Sequence, residues 1–173
     1  MANTHTLIQT ITVGSGSTTE ITFSSIPQTY TDLKFVLSLR DATGLNIDQG
    51  FRINGDGSSV YSWKRMLGNG TGTQTSSGTN TRAFYTVVNG TSSTASTFTS
   101  IEVYFPNYTS GNQKVWNSIT CQEQNTATNY VGFYAGQIAL TGAITSVSFY
   151  PEPTGSNSFA QYASVSLYGI KNT

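Results

Sequence analysis

Charge is what this chain has least of. Among 173 residues, eight are Lys or Arg and eight are Asp or Glu, 9% together and balanced to zero, where a soluble domain carries about 25%. Without a surplus of either sign there is no field to steer a polyanion, which argues against nucleic-acid binding. Few lysines remain to blunt exposed strand edges. Those edges are therefore expected to be covered, by closure within the fold or by neighbouring subunits. The single cysteine, Cys121, excludes an intrachain disulfide; within the alternating run VWNSITC it is expected to point into the core as a small hydrophobe. One histidine and one cysteine cannot close a tetrahedral zinc site, and neither metal nor cofactor is expected. His5 falls in a polar N-terminal arm of about residues 1–6 and reads as a solvent-exposed tail residue. No G-x-S-x-G elbow offers it a nucleophile, so no catalytic residues are expected. No apolar run approaches the roughly 20 residues of a membrane helix, and MANTHTLIQT lacks the basic and apolar regions of a secretory signal. The expectation is a soluble protein made in the cytoplasm and not membrane-bound.

Thr, Ser, Asn and Gly take the place of charge, and they punctuate short alternating segments. The stretch from Phe51 to Gly70 sets the pattern. Phe51 and Ile53 alternate with polar neighbours, Asn54-Gly55-Asp56-Gly57 supplies a turn, and Tyr61, Trp63, Arg65 and Leu67 share one face of a returning strand. Asn-Gly and Asp-Gly between alternating segments predict a two-stranded hairpin, because both residues accept positive φ. Further strands are predicted at Leu7–Val13, around Ile21 and Phe23, at Leu33–Leu39, Arg82–Val88, Phe98–Phe105, Val115–Cys121, Val131–Leu140, Ile144–Tyr150 and Ala163–Ile170. Pro27 ends or edges the second of these. Asp41–Gln49 reads as a loop. Gly68–Thr81 contains no apolar residue, and is expected to be a surface loop ordered by a neighbouring subunit.

Ten or eleven short strands with turn signals and no helical stripe predict an all-β fold, an antiparallel β-sandwich. A jelly roll fits the count best, as two four-stranded sheets with extra edge strands. With no linker, composition shift or internal repeat, residues 1–173 read as a single domain of a size that buries about 70% of its unfolded-chain surface.

Three constellations could carry chemistry. Glu102 and Glu123 lie on adjacent predicted strands, where a glycosidase would place a carboxylate pair; each alternates with core residues, which puts both on the solvent side. Asn54, Asp56 and Ser58 present oxygens at alternate positions like a partial calcium loop, but without the closing bidentate Glu, and a tight turn wants the same residues. The aromatic set Tyr61, Trp63, Tyr104, Tyr108, Trp116, Tyr130, Tyr134, Tyr150, Tyr162 and Tyr168 could stack on sugar rings, although most such residues in a β domain are core or cross-strand pairs. The sequons at Asn69, Asn89 and Asn107 follow from Thr and Asn richness.

The phrases FSSIPQTYTDLKFVLSLRD, FRINGDGSSVYSW with its following GNG, and ASVSLYGIKN resemble a group of small β-rich virion proteins of tailed bacteriophages. The likeness spans about Ile21 to Lys171, and its motifs are structural. It implies a non-enzymatic virion protein, either a capsid decoration (cement) protein or a fibre-like appendage. The absence of a shaft or attachment domain favours decoration: a protein, trimeric by analogy, that binds the major capsid protein on the outer head surface after assembly in the host cytoplasm. A tail module that binds a receptor glycan is the alternative.

Overall fold

The computed structural model describes residues 4–44, 47–125 and 129–171. Twelve strands run β1 (His5–Thr12), β2 (Ile21–Phe23), β3 (Asp32–Leu39), β4 (Ile47–Ile53), β5 (Tyr61–Gly68), β6 (Thr73–Asn80), β7 (Ala83–Val88), β8 (Thr99–Phe105), β9 (Lys114–Gln122), β10 (Val131–Ile138), β11 (Val147–Pro151) and β12 (Ser164–Ile170). Helices are absent among the described residues. A wide sheet of eight strands has the order β1-β12-β3-β8-β9-β10-β5-β6, and a narrow sheet of four has the order β2-β11-β4-β7. Every named pairing is antiparallel. The predicted β-sandwich is therefore the fold.

Setting aside β5, β6, β9 and β10 leaves two sheets of four, β1-β12-β3-β8 and β2-β11-β4-β7. Successive strands of this frame cross from one sheet to the other, except β4 and β7, which are neighbours. That is the jelly-roll order. The other four strands form two insertions, β5-β6 between β4 and β7 and β9-β10 between β8 and β11. They join at β10-β5 and widen one sheet past β8.

The core lies between the sheets. On β3, Leu33, Phe35, Leu37 and Leu39 are buried as their alternation predicts, while Val36 and Ser38 face out. Phe51 is the hub of the opposing layer. Its ring stands edge-on to Trp116 at 5.0 Å and to Phe105 at 5.2 Å, and Phe35 meets Phe149 at 5.1 Å. Such edge-to-face contacts add about 1 kcal/mol each to the area term.

Five expectations need correction. Phe51–Gly70 is not a hairpin: β4 belongs to the narrow sheet and β5 to the wide one. The turn itself forms as its residues dictate, with Asn54 and Gly55 at φ 53° and 68° and the Asp56 amide 3.0 Å from the Ile53 carbonyl. Phe51, Ile53 and Tyr61 all point into the same core, and this is satisfied by an arch between layers. Second, Gly68–Thr81 is not an unstructured loop, since β6 pairs with β5 over eight residues without a register shift. Third, Cys121 is exposed; the face of β9 that carries Trp116 is the buried one. Fourth, His5 is exposed but opens β1 opposite Ile170, so the strand reaches into the expected arm. The predicted Asp41–Gln49 loop gives way to β4 from Ile47, and its residues 45 and 46 lie outside the described residues.

Candidate functional site

The two insertions meet in a stretch of sheet whose outer face is unusually apolar. In β9 the burial alternates strictly, with Lys114, Trp116, Ser118, Thr120 and Gln122 inward and Val115, Asn117, Ile119 and Cys121 outward. The polarity is nearly reversed from that of a half-buried strand. Among the inward polar groups Lys114, Thr120 and Gln122 are satisfied, whereas Ser118 Oγ and Trp116 Nε1 have no hydrogen-bond partner among the described residues. Thr120 and Thr86 share a hydroxyl–hydroxyl bond of 2.7 Å between the sheets, the Lys114 ammonium donates to the Ser110 carbonyl at 2.6 Å, and Gln122 Oε1 accepts from the Tyr130 amide at 3.2 Å. With these inside, Val115 and Ile119 are each left 50% exposed.

In β10 the inward positions are Gly132, Tyr134, Gly136 and Ile138, and the outward ones include Val131 and Phe133. Gly136 is required by proximity: a Cβ there would stand 1.9 Å from the Ser62 carbonyl oxygen of β5. Cross-strand register then sets Phe133 directly opposite Met66 of β5 on one side and Ile119 of β9 on the other. Directly opposed side chains have Cβ atoms about 5 Å apart, so Met66, Phe133 and Ile119 form one continuous ladder across three strands. Phe133 is 56% exposed and Met66 55%.

The ladder ends in polar residues on both sides. Beyond Ile119 stands Glu102 of β8, whose carboxylate lies 2.9 Å from the Lys34 ammonium of β3. Beyond Met66 stands Thr75 of β6. The flanking row carries Ala135 between Lys64 and Asn117. Together they shape an open groove of about 840 Å3 with Met66, Ile119 and Phe133 as floor and Lys64, Ser77 and Asn117 among its rim.

The underside explains why this overhang holds its place. Trp63 of β5 stands edge-on to Phe84 of β7 at 5.3 Å. Arg65 donates from Nη1 to Asp48 of β4 at 2.8 Å and from Nε to the Ser76 hydroxyl of β6 at 2.7 Å, so one guanidinium ties both insertion strands to the narrow sheet. Burial pushes the Asp48 carboxyl above its usual value, against the opposing pull of Arg65.

The residues singled out in the sequence do not converge on this face. Glu102 and Glu123 face solvent, but Glu102 sits opposite Ile119 of β9, four residues or about 13 Å of strand before Glu123. The two carboxylates are also engaged separately, Glu102 with Lys34 and Glu123 Oε2 as acceptor of the Phe98 amide at 3.2 Å, so they do not face one another as a glycosidase pair would. Asp56 accepts from the Ser58 amide at 2.7 Å, while Asn54 Oδ1 accepts from the Thr145 and Ser146 amides, so the turn's oxygens serve the backbone. Asn89 is fully buried and donates to Thr97 and to the Glu123 carbonyl. Of the aromatic set, Tyr61, Tyr108, Trp116 and Tyr134 are buried, Trp63 packs on Phe84, Tyr104 donates to Asp32 at 2.6 Å, and Tyr162 stands alone at 68% exposure. Phe133, Met66 and Ile119 were missed. The signal was present in β10, where an inward Tyr134 and Ile138 leave Phe133 and Val131 no core to enter.

Comparisons with protein-family models, with curated proteins and with solved structures find no match to this chain.

Proposed function

We propose that this chain is a non-enzymatic virion structural protein, a decoration protein that seats the outer face of its wide sheet on the capsid protein of a phage head. The observation that carries the reading is the exposed Met66–Phe133–Ile119 ladder in a chain with so little charge. Contiguous apolar surface on a soluble chain marks a contact site, and a wide sheet face with few charges suits repeated docking on a lattice of identical subunits. Many weak contacts of this kind stabilise a shell through multiplicity. The phrase-level resemblance to phage virion proteins supplies the partner.

The test is co-sedimentation with empty expanded heads of the parent phage. Wild-type protein is expected to bind and to raise the temperature at which heads rupture. Phe133→Lys, which places a charge at the centre of the ladder, is expected to lose binding while its own thermal midpoint stays put. Recovery of the protein only in tail fractions, or undiminished head binding by F133K, overturns the proposal.

The second reading, a glycan-binding module of the tail, draws on the same groove, because an aromatic ring there sits among the Asn117 amide, the Ser77 hydroxyl and the Lys64 ammonium. A specific glycan-array signal abolished by F133K, without head binding, would select it.

A further inference from the structure

We infer that β6 is a subunit edge: two copies of this chain join their wide sheets by antiparallel pairing of β6 with β6 across a two-fold axis. The wide sheet has two open edges, β1 and β6, and they differ. β1 carries a register shift between Leu7 and Gln9, an irregularity of the kind that twists an edge away from further pairing. β6 has none. Its eight residues, TQTSSGTN, pair with β5 in unbroken register and contain no charge, no proline and no bulge. None of the devices by which a soluble sheet protects an edge is present there. From Thr73 to Ser77 the side chains are exposed on both faces of the strand, since the narrow sheet does not extend beneath.

The composition of the edge favours a second copy over an unrelated partner. A strand of small hydroxyl and amide residues offers a foreign chain neither an apolar anchor nor a charge to recognise. Against itself it places Ser and Thr opposite Ser and Thr, a favourable cross-strand pairing. The geometry narrows the register. Residues directly opposed across the axis must face the same side of the joined sheet, so their numbers share parity and one residue faces its own copy across the axis. Near the centre of β6 that residue is Ser76 or Ser77. The joined sheet then presents both Met66–Phe133–Ile119 ladders on one surface. A two-fold contact is isologous and closes on itself, whereas the three-fold assembly implied by the resemblance would need β6 to meet a different surface of its neighbour.

Sedimentation equilibrium of the free protein at tens of micromolar tests this, and its readout is independent of any capsid. The expected mass is twice the 18.6 kDa of one chain. In the double variant Thr75→Lys with Ser77→Lys, lysines face each other across the axis in either register, and the mass is expected to fall to that of one chain with an unchanged thermal midpoint. Thr10→Lys on β1 is expected to remain a dimer. In a Cys121→Ser background, Ser76→Cys or Ser77→Cys is expected to form an intermolecular disulfide under mild oxidation, because opposed strand residues lie within disulfide reach. A monomeric or trimeric wild type, a dimer that survives the β6 lysines, dissociation by T10K, or failure of both cysteines to cross-link overturns the inference. Head binding that survives such a result would leave the proposed function standing.

Discussion

The Tyr61 hydroxyl of the wide sheet accepts the Ile53 amide of the narrow sheet at 3.2 Å, and it reaches the Asp56 carbonyl at 2.8 Å. β7 stops pairing with β4 at Phe51, so without Tyr61 the end of β4 would lose this amide partner in a buried setting. Burial lifts the phenol to about 12, which keeps it a donor through neutral and mildly alkaline pH. Tyr61→Phe preserves the ring's contact with Phe51 and removes only the hydroxyl. The expected cost is about 1–3 kcal/mol, read as a lower urea midpoint at constant slope. An unchanged midpoint would show that the arch is held by packing alone.

At Gly90 any side chain would run into backbone. An added Cβ would lie 2.1 Å from the Thr43 carbonyl oxygen and 2.3 Å from that of Gly44. Both neighbours are backbone, and the Thr91 and Ser92 amides bond to those same carbonyls. Gly90→Ala is expected to destabilise by at least ~2 kcal/mol, whereas Gly14→Ala, with open space around it, is expected to be nearly silent. Equal melting temperatures for the two variants would refute the close approach.

Asp41 gives the fold a pH dependence of definite sign. It is fully buried, and burial raises its carboxyl above the usual value despite bonds from the Thr43 amide and hydroxyl. The folded chain therefore takes up this proton at a pH where the unfolded chain has not. Between the ordinary aspartate value and the raised one, the folded state holds more protons, so this group's contribution falls as pH rises. Asp41→Asn keeps an oxygen for Thr43 and removes the titration. Its stability relative to wild type is expected to improve as pH rises through that window. A difference that is flat in pH, measured by denaturant titration, would count against the raised carboxyl.

Cys121 reports on the proposed contact face. It is exposed and lies opposite Val131 in the row beside the ladder. Ellman's reagent is expected to titrate one thiol per chain without denaturant, and head binding is expected to slow that reaction. A thiol that reacts only after unfolding would place it in the core after all.

How legible the fold was depended on how many faces of a strand carried a signal. β3 was plain because one phase, Leu33 to Leu39, is wholly apolar while the other carries only Val36 among polar residues. β9 was misread because both phases carry large apolar residues. Cys121 was expected inside as a small hydrophobe, but Trp116, on the other phase, goes inside and the Thr120 hydroxyl finds Thr86 there. β6 was invisible for the opposite reason: with both faces exposed it has no apolar phase, and its pairing with β5 alone makes it a strand. At Asn54-Gly55 the turn was predicted correctly, but local turn chemistry carries no information about which sheet receives the returning chain. The candidate face required the β10–β5 pairing, a contact between strands with 62 residues of sequence between them, 69 to 130.

The exposed ladder is borne on segments inserted between frame strands, yet those same segments send Tyr61, Trp116 and Tyr134 into the core beneath it. The outer face and the interior are therefore two sides of the same three strands. Outward positions such as Phe133 and Ile119 are free to vary one by one, whereas a change in hairpin length would unseat their inward neighbours.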